Sequence, residues 1–288
     1  MHWFLLAILT AVAVAGRDVS VKKLSAKHSA MEIAAIELFW SIPFFLFGLY
    51  FTQVPPLDDV FWWNFVIAFP FNCFSYLLYV IALTLAPLSL TVPLLSFTPV
   101  FVILTGALVL NEHVNIYGFC GIILIVLSSY LLNFNKAQKG YLKPIIAIYT
   151  EKGSLLMFIV AFLFSIAGVV GKKAIVHSSP LFFGYFFFLV CNVSILCGIL
   201  LCSKVTVPRI LQHTNAGIWL GSLFFVHIMF HCLAIIGTNA AYMISIKRSS
   251  ILFSVVLGWL FFKEEHFKFR GPAAFLMFIG ALLITFLG

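Results

Sequence analysis

Ten apolar stretches, each about as long as a bilayer is thick, leave this chain of 288 residues little choice of fold. A helix needs about 20 apolar residues to cross the hydrocarbon core. The stretches are 2–21, 31–52, 61–84, 88–110, 114–133, 154–175, 180–202, 214–235, 239–262 and 270–287. Turn and charge signals part them: Pro55-Pro56 with Asp58-Asp59, Ala86-Pro87, Asn111-Glu112, and the run Lys204 to Arg209. Only 9% of residues are charged, against roughly 25% in soluble domains. That excludes a soluble enzyme or a nucleic-acid-binding domain, although the net charge is +8. The N-terminal run Trp3–Gly16 resembles a signal peptide in length. It lacks basic residues at its start and many spans follow, so it is expected to be part of the first span. The six cysteines (73, 120, 191, 197, 202 and 232) lie in or beside apolar runs and form no CxxC pair, so they read as small hydrophobes.

The longest break, 133–153, divides the stretches five and five, and the halves resemble each other. Lys22-Lys23 and His28-Ser29 match Lys172-Lys173 and Ser178-Ser179 at an offset of 150. Asn111-Glu112-His113 matches Glu264-Glu265-His266, and Gly118 matches Gly271, at an offset of 153. Five spans per repeat is odd, so the second copy enters the membrane inverted, with a site expected near midplane between the copies. The expected fold is all-α: ten transmembrane helices as two inverted five-helix repeats around a central cavity. The expected units are 1–133, a connecting loop 134–153, and 154–288.

Loops one, five, seven and nine carry twelve bases: Lys22, Lys23, Lys27, Lys136, Lys139, Lys143, Lys152, Lys204, Arg209, Lys263, Lys268 and Arg270. The even loops carry only Lys172 and Lys173. The positive-inside rule then puts both termini outside the cytoplasm, here of a bacterial-type inner membrane.

The ends of the halves read LSLTVPLLSFTPVFVILTGALVLNEHVNIYGFCGIILIVLSSYLL and AYMISIKRSSILFSVVLGWLFFKEEHFKFRGPAAFLMFIGALLITFL. Each is an apolar span, an acidic residue, a short gap, a glycine and a second apolar span. This resembles the EamA-type repeat of the drug/metabolite transporter superfamily, over nearly the whole chain. The resemblance implies ten helices around a central cavity and alternating-access transport of a small metabolite, often as export. It does not name the substrate. The arginine that such proteins often carry in the second span is absent; Glu37 stands near that place.

Lys247 and Arg248 lie near the centre of the ninth stretch, where the first half has the neutral Leu94-Leu95. Cations at membrane depth are costly and mark function by default. Arg248 suits a carboxylate or phosphate through its planar fork, and Lys247 suits it as a point charge. The competing reading is an internal salt bridge to Glu37 or Asp18. Ser249 and Ser250 offer hydroxyls, to a ligand or to their own helix. Arg17 and Asp18 either neutralise each other within the first span or lie at its edge, if that span ends at Gly16. Glu37 is read as a counter-ion to Lys247 or Arg248, or as a proton-coupling carboxylate.

His227 and His231 share a face at i, i+4, as a hydrogen-bonding pair or as packing residues. Asn72, Tyr76 and Tyr79 share a face of the third span, as cavity lining or interhelical glue. Asn239 and Tyr242 begin the span that leads to Lys247, and Asn192 reads as glue. Pro93, Pro99, Gly168 and Gly171 are possible bending points. Lys263-Glu264-Glu265 to Arg270 is similar to the EExxxR motif of intramembrane prenyl-protein proteases, but Phe269 stands where the arginine should. No HExxH, GxSxG or Walker sequence is present.

The sequence therefore leads to a secondary transporter of an amino acid or organic anion. A nucleotide-sugar or sugar-phosphate antiporter is the alternative. An intramembrane enzyme or a non-transporting receptor is more distant. Expected partners are a small-molecule substrate, the lipid bilayer and protons, with no nucleic acid, cofactor or metal, in a monomer or weak homodimer.

Overall fold

In a bilayer every backbone N–H and C=O must be satisfied within the protein, which selects helices. The computed structural model describes residues 2–86, 94–132, 150–262 and 271–288, with the side chains of 255 and 258–262 excepted. All regular structure among the described residues is helical. Six helices are long and apolar enough to cross a membrane: α1 (His2–Leu24), α2 (Ala30–Tyr50), α3 (Asp59–Leu85), α6 (Lys152–Val176), α7 (Pro180–Cys202) and α9 (Thr214–Ile235). The shorter ones are α4 (Thr98–Leu110), α5 (Ile116–Leu132), α8 (Val207–Leu211), α10 (Ala240–Lys247), α11 (Ser250–Phe262) and α12 (Gly271–Phe286). The chain is a multi-pass membrane protein. Pro93, the beginning of the expected fourth span, and Lys136, Lys139, Lys143, Lys263, Glu264, Glu265, His266, Lys268 and Arg270 lie outside the described residues.

Polar side chains start the helices where the sequence enters each apolar run. Ser29 accepts from the Glu32 N–H at 3.3 Å, Asp58 from the Phe61 N–H at 2.8 Å, and Ser179 from the Phe182 N–H at 3.2 Å. Each satisfies one of the four free donors of a helix N-terminus. α1 runs unbroken past Gly16 to Leu24, so Arg17 and Asp18 lie within the helix, and both are buried.

Two helices are interrupted at depth. Leu94-Leu95 is helical, Ser96-Phe97 forms a turn, and α4 follows. Pro99 has no N–H to offer the Leu95 carbonyl; the Thr98 hydroxyl donates to that carbonyl instead, at 2.6 Å. The ninth span is interrupted between α10 and α11 at Arg248-Ser249, with no proline. There the N–H groups of Arg248, Ser249 and Ile251 donate to carbonyls three residues back, at 3.0, 2.9 and 3.1 Å. The tightened turn displaces two consecutive side chains from the straight helical path.

α1 packs on α9 and α11, α3 and α4 on α6, α2 on α7 and α9, and α5 on α12. α5 and α12 cross at glycines: a Cβ on Gly121 would lie 2.7 Å from the Gly280 carbonyl oxygen, and one on Gly280 would lie 2.8 Å from that of Gly121. Only small residues allow such backbone approach.

Loops group on two faces. Asn115 Nδ2 donates to the Leu287 carbonyl at 2.7 Å, Asn239 Nδ2 donates to the His113 carbonyl at 3.0 Å, and His177 Nδ1 lies 2.7 Å from Asp58 Oδ2. These bring the even-numbered loops to the face of the termini. On the opposite face Lys22 Nζ donates to the Leu83 and Ala86 carbonyls at 3.2 and 3.1 Å, and Arg209 Nε donates to Glu32 Oε1 at 2.8 Å.

Candidate functional site

Five ionisable side chains meet in the middle of the bundle, and they divide into two groups. Arg17 and Asp18 come from α1, Glu37 from α2, and all three are buried. Arg17 grips both oxygens of Glu37, with Nη2 donating to Oε2 at 2.8 Å. Glu37 Oε2 also accepts from the Tyr76 hydroxyl at 2.7 Å. Asp18 Oδ1 accepts from the Tyr79 hydroxyl at 2.6 Å and lies 3.6 Å from Arg17 Nη1. The guanidinium carbon lies 5.2, 5.5 and 5.7 Å from the ring centroids of Tyr79, Tyr76 and Phe224. This is a bidentate, charge-assisted pair within an aromatic cage, among the strongest arrangements open to a buried guanidinium. Glu37 is therefore the counter-ion of Arg17. Among the described residues no salt bridge joins it to Lys247 or Arg248.

Lys247 and Arg248 stand at the interruption of the ninth span. Among the described residues neither side chain takes part in a salt bridge or hydrogen bond, and Arg248 Nε is buried without a partner. His231 Nδ1, on α9, is also buried without a partner.

Of these, Arg17, Tyr76, Tyr79, Phe224, His231, Lys247 and Arg248 line one cavity of about 110 Å³. Arg17, Asn72, Tyr76 and Tyr79 form one wall, and His227, His231, Lys247 and Arg248 the other. Leu95, Thr98, Phe164, Gly168, Phe188 and Phe224 complete it with mostly apolar surface. Three cations (Arg17, Lys247, Arg248) face two carboxylates (Asp18, Glu37), an excess of one positive charge with the histidines neutral. Both carboxylates are already bonded, to Arg17, Tyr76 and Tyr79, while the Arg248 Nε donor is not.

Three other expected residues lie elsewhere. Asn239 and Tyr242 line a separate polar hollow on the face of the termini, with His113, Asn115 and Lys172. The Tyr242 hydroxyl accepts from the Asn115 N–H at 3.1 Å. Ser249 is buried in the turn and lines neither space. Asn192 Nδ2 donates to the Ser41 hydroxyl at 2.9 Å, tying α7 to α2.

Sequence reasoning passed over a cross-half tie beside that hollow. Glu112 Oε1 accepts from Lys172 Nζ, and Glu112 Oε2 accepts from the Ala240 N–H at the start of α10, at 2.8 Å. Lys172 also donates to the Thr238 carbonyl. Both residues stood out as repeat matches, which hinted at importance but did not reveal that they bond to each other.

The model of a family described as EamA-like transporters matches residues 1–134. No curated protein matches the chain. A solved crystal structure shares its fold at TM-score 0.72, covering 97% of this chain and 96% of the other, at 14% identity. That likeness concerns the fold alone. Over residues 1–134 the chain is thus similar to the EamA-like transporter family.

Proposed function

We propose that the protein is a secondary active transporter which carries a small organic metabolite with a carboxylate or similar oxyanion by alternating access. One observation carries the reading: Lys247, Arg248 and His231 face a shared cavity with no acceptor bound to them among the described residues. Unpaired buried cations cost several kcal/mol, so the site is built for a ligand that supplies oxygen atoms. The acids that would hold an ammonium are already engaged by Arg17, Tyr76 and Tyr79. An organic anion thus suits the site better than an amino-acid zwitterion. A cavity of about 110 Å³ is also well below the several hundred Å³ of drug-sized pockets, which disfavours a nucleotide sugar.

The ten-helix inverted repeat, with units 1–133 and 154–288 joined by 134–153, belongs to this proposal. Helix pairings exchange when the halves are exchanged: α1 on α9 answers α6 on α3, and α11 on α1 answers α4 on α6. The interruptions at Ser96-Phe97 and Arg248-Ser249 overlap when the halves are aligned, with Ser96 answering Ser249. Export, a bacterial inner membrane, proton coupling and non-cytoplasmic termini complete the reading, the last from the basic odd-numbered loops.

The test is counterflow in liposomes with labelled mono- and dicarboxylates, phosphate esters and amino acids. Arg248→Ala should abolish flux of the transported anion, which should be recovered chemically unchanged. Flux at the wild-type rate in that variant would overturn the anchoring role. Recovery of an altered product would favour an enzyme.

A further inference from the structure

A second cluster stands apart from the cavity, on the face opposite the termini. His28 closes the loop before α2, Glu32 lies in the first turn of α2, and His213 is the residue before α9. One ligand atom from each lies within 4.8 Å of the other two. His28 Nδ1 is 3.0 Å from Glu32 Oε1, and the two imidazole rings meet edge to face with centroids 4.4 Å apart. His28 Nδ1 is buried, yet makes no hydrogen bond of acceptable geometry. A buried ring nitrogen left without a hydrogen bond beside a carboxylate and a second imidazole is a pre-arranged donor set.

We propose that His28, Glu32 and His213 form a site for a divalent transition-metal ion of the zinc type. Metal–ligand distances of about 2.0–2.2 Å need tetrahedral donor separations of about 3.4 Å. The His28–Glu32 separation of 3.0 Å is near that value, and all three donor atoms lie within 4.8 Å of one another. Two imidazoles and one carboxylate select zinc, cobalt or nickel over calcium and magnesium, which prefer all-oxygen shells. Water fills the fourth position. Arg209 competes, since its Nε donates to Glu32 Oε1 at 2.8 Å. Its side chain is 55% exposed, so leaving that carboxylate costs little. Arg209 acts as the stand-in cation when no metal is present. The bound ion would clamp α2, which carries Glu37, to α9, which carries His227 and His231.

The purified full-length protein, free of any histidine tag, is titrated in detergent with Co²⁺ while visible d–d absorption is recorded. The expected result is saturation at one equivalent per chain. His213→Gln and Glu32→Gln should each weaken binding at least tenfold, and Arg209→Ala should tighten it. Melting in the absence of metal identifies any variant that fails to fold. Should Glu32→Gln fail, His213→Gln and Arg209→Ala decide the matter. No saturable band, unchanged affinity in His213→Gln, or a thiolate charge-transfer band that places the ion on cysteine would overturn the site.

Discussion

Arg17 and Arg248 line the same cavity and are both buried, but their surroundings differ in kind. Arg17 is enclosed by a bidentate carboxylate, a neighbouring aspartate and three aromatic faces. Arg248 has a buried Nε with nothing to donate to. The first is part of the frame, since its partners come from α1, α2, α3 and α9 and hold those helices together. The second is a buried donor left unpaired. Burial alone does not separate the two roles; saturation of the donors does.

The contrast breaks most sharply on Glu37. Glu37→Ala leaves the Arg17 guanidinium buried and unpaired, so it should cost about 3–5 kcal/mol. A collapse of expression or of the melting temperature in detergent would register it. Arg248→Met should do the opposite: stability unchanged or raised by about 1 kcal/mol, and transport lost. If Arg248→Met unfolds the protein as Glu37→Ala does, the distinction between frame and site fails. Tyr79→Phe removes one charge-assisted hydrogen bond to Asp18 and should cost about 1.5–3 kcal/mol, measured as a shift in thermal unfolding. Away from the cavity, Gly121→Ala forces a Cβ toward the Gly280 carbonyl oxygen and should cost about 1–3 kcal/mol without changing substrate preference.

The smallest effect lies on the face of the termini. The Phe61 N–H and then His177 hold the Asp58 carboxyl below its ordinary range. A depressed carboxylate contributes stability that is fully present above its ordinary pKa of about 3.9 and is lost as pH falls through the lowered value. Asp58 is exposed, so acid unfolding of Asp58→Asn should differ from the wild type only slightly, and only in that acidic window. A shift near neutral pH would contradict the assignment.

Much of the frame was legible in the chain. The apolar runs foretold the long helices α1, α2, α3, α6, α7 and α9, because a bilayer leaves no other way to satisfy the backbone. Asp58 stood in a break between two of those runs; that Ser29, Asp58 and Ser179 cap three of the helices came from the structure. Lys247 and Arg248 were visible as anomalies for the same reason: charge inside an apolar segment needs an explanation. Tyr76, Tyr79 and Asn72 shared a face by simple spacing.

Partner choice was not legible. Sequence offered Glu37 to Lys247 and Arg248, and the fold joined it to Arg17, because pairing depends on how helices distant in sequence rotate and cross. Asn239 and Tyr242 shared a span with Lys247, yet five residues of helix amount to about 7.5 Å and a turn and a half, enough to carry Tyr242 to another surface. Glu112 and Lys172 show the same limit from the other side: each was marked by the repeat, but neither named the other. The sequence by itself determined that this chain is a bundle of membrane helices with a costly pair of cations at depth. Only the tertiary structure decided which cations are neutralised and which keep an unpaired donor, since charge is a property of residues but saturation is a property of their neighbours.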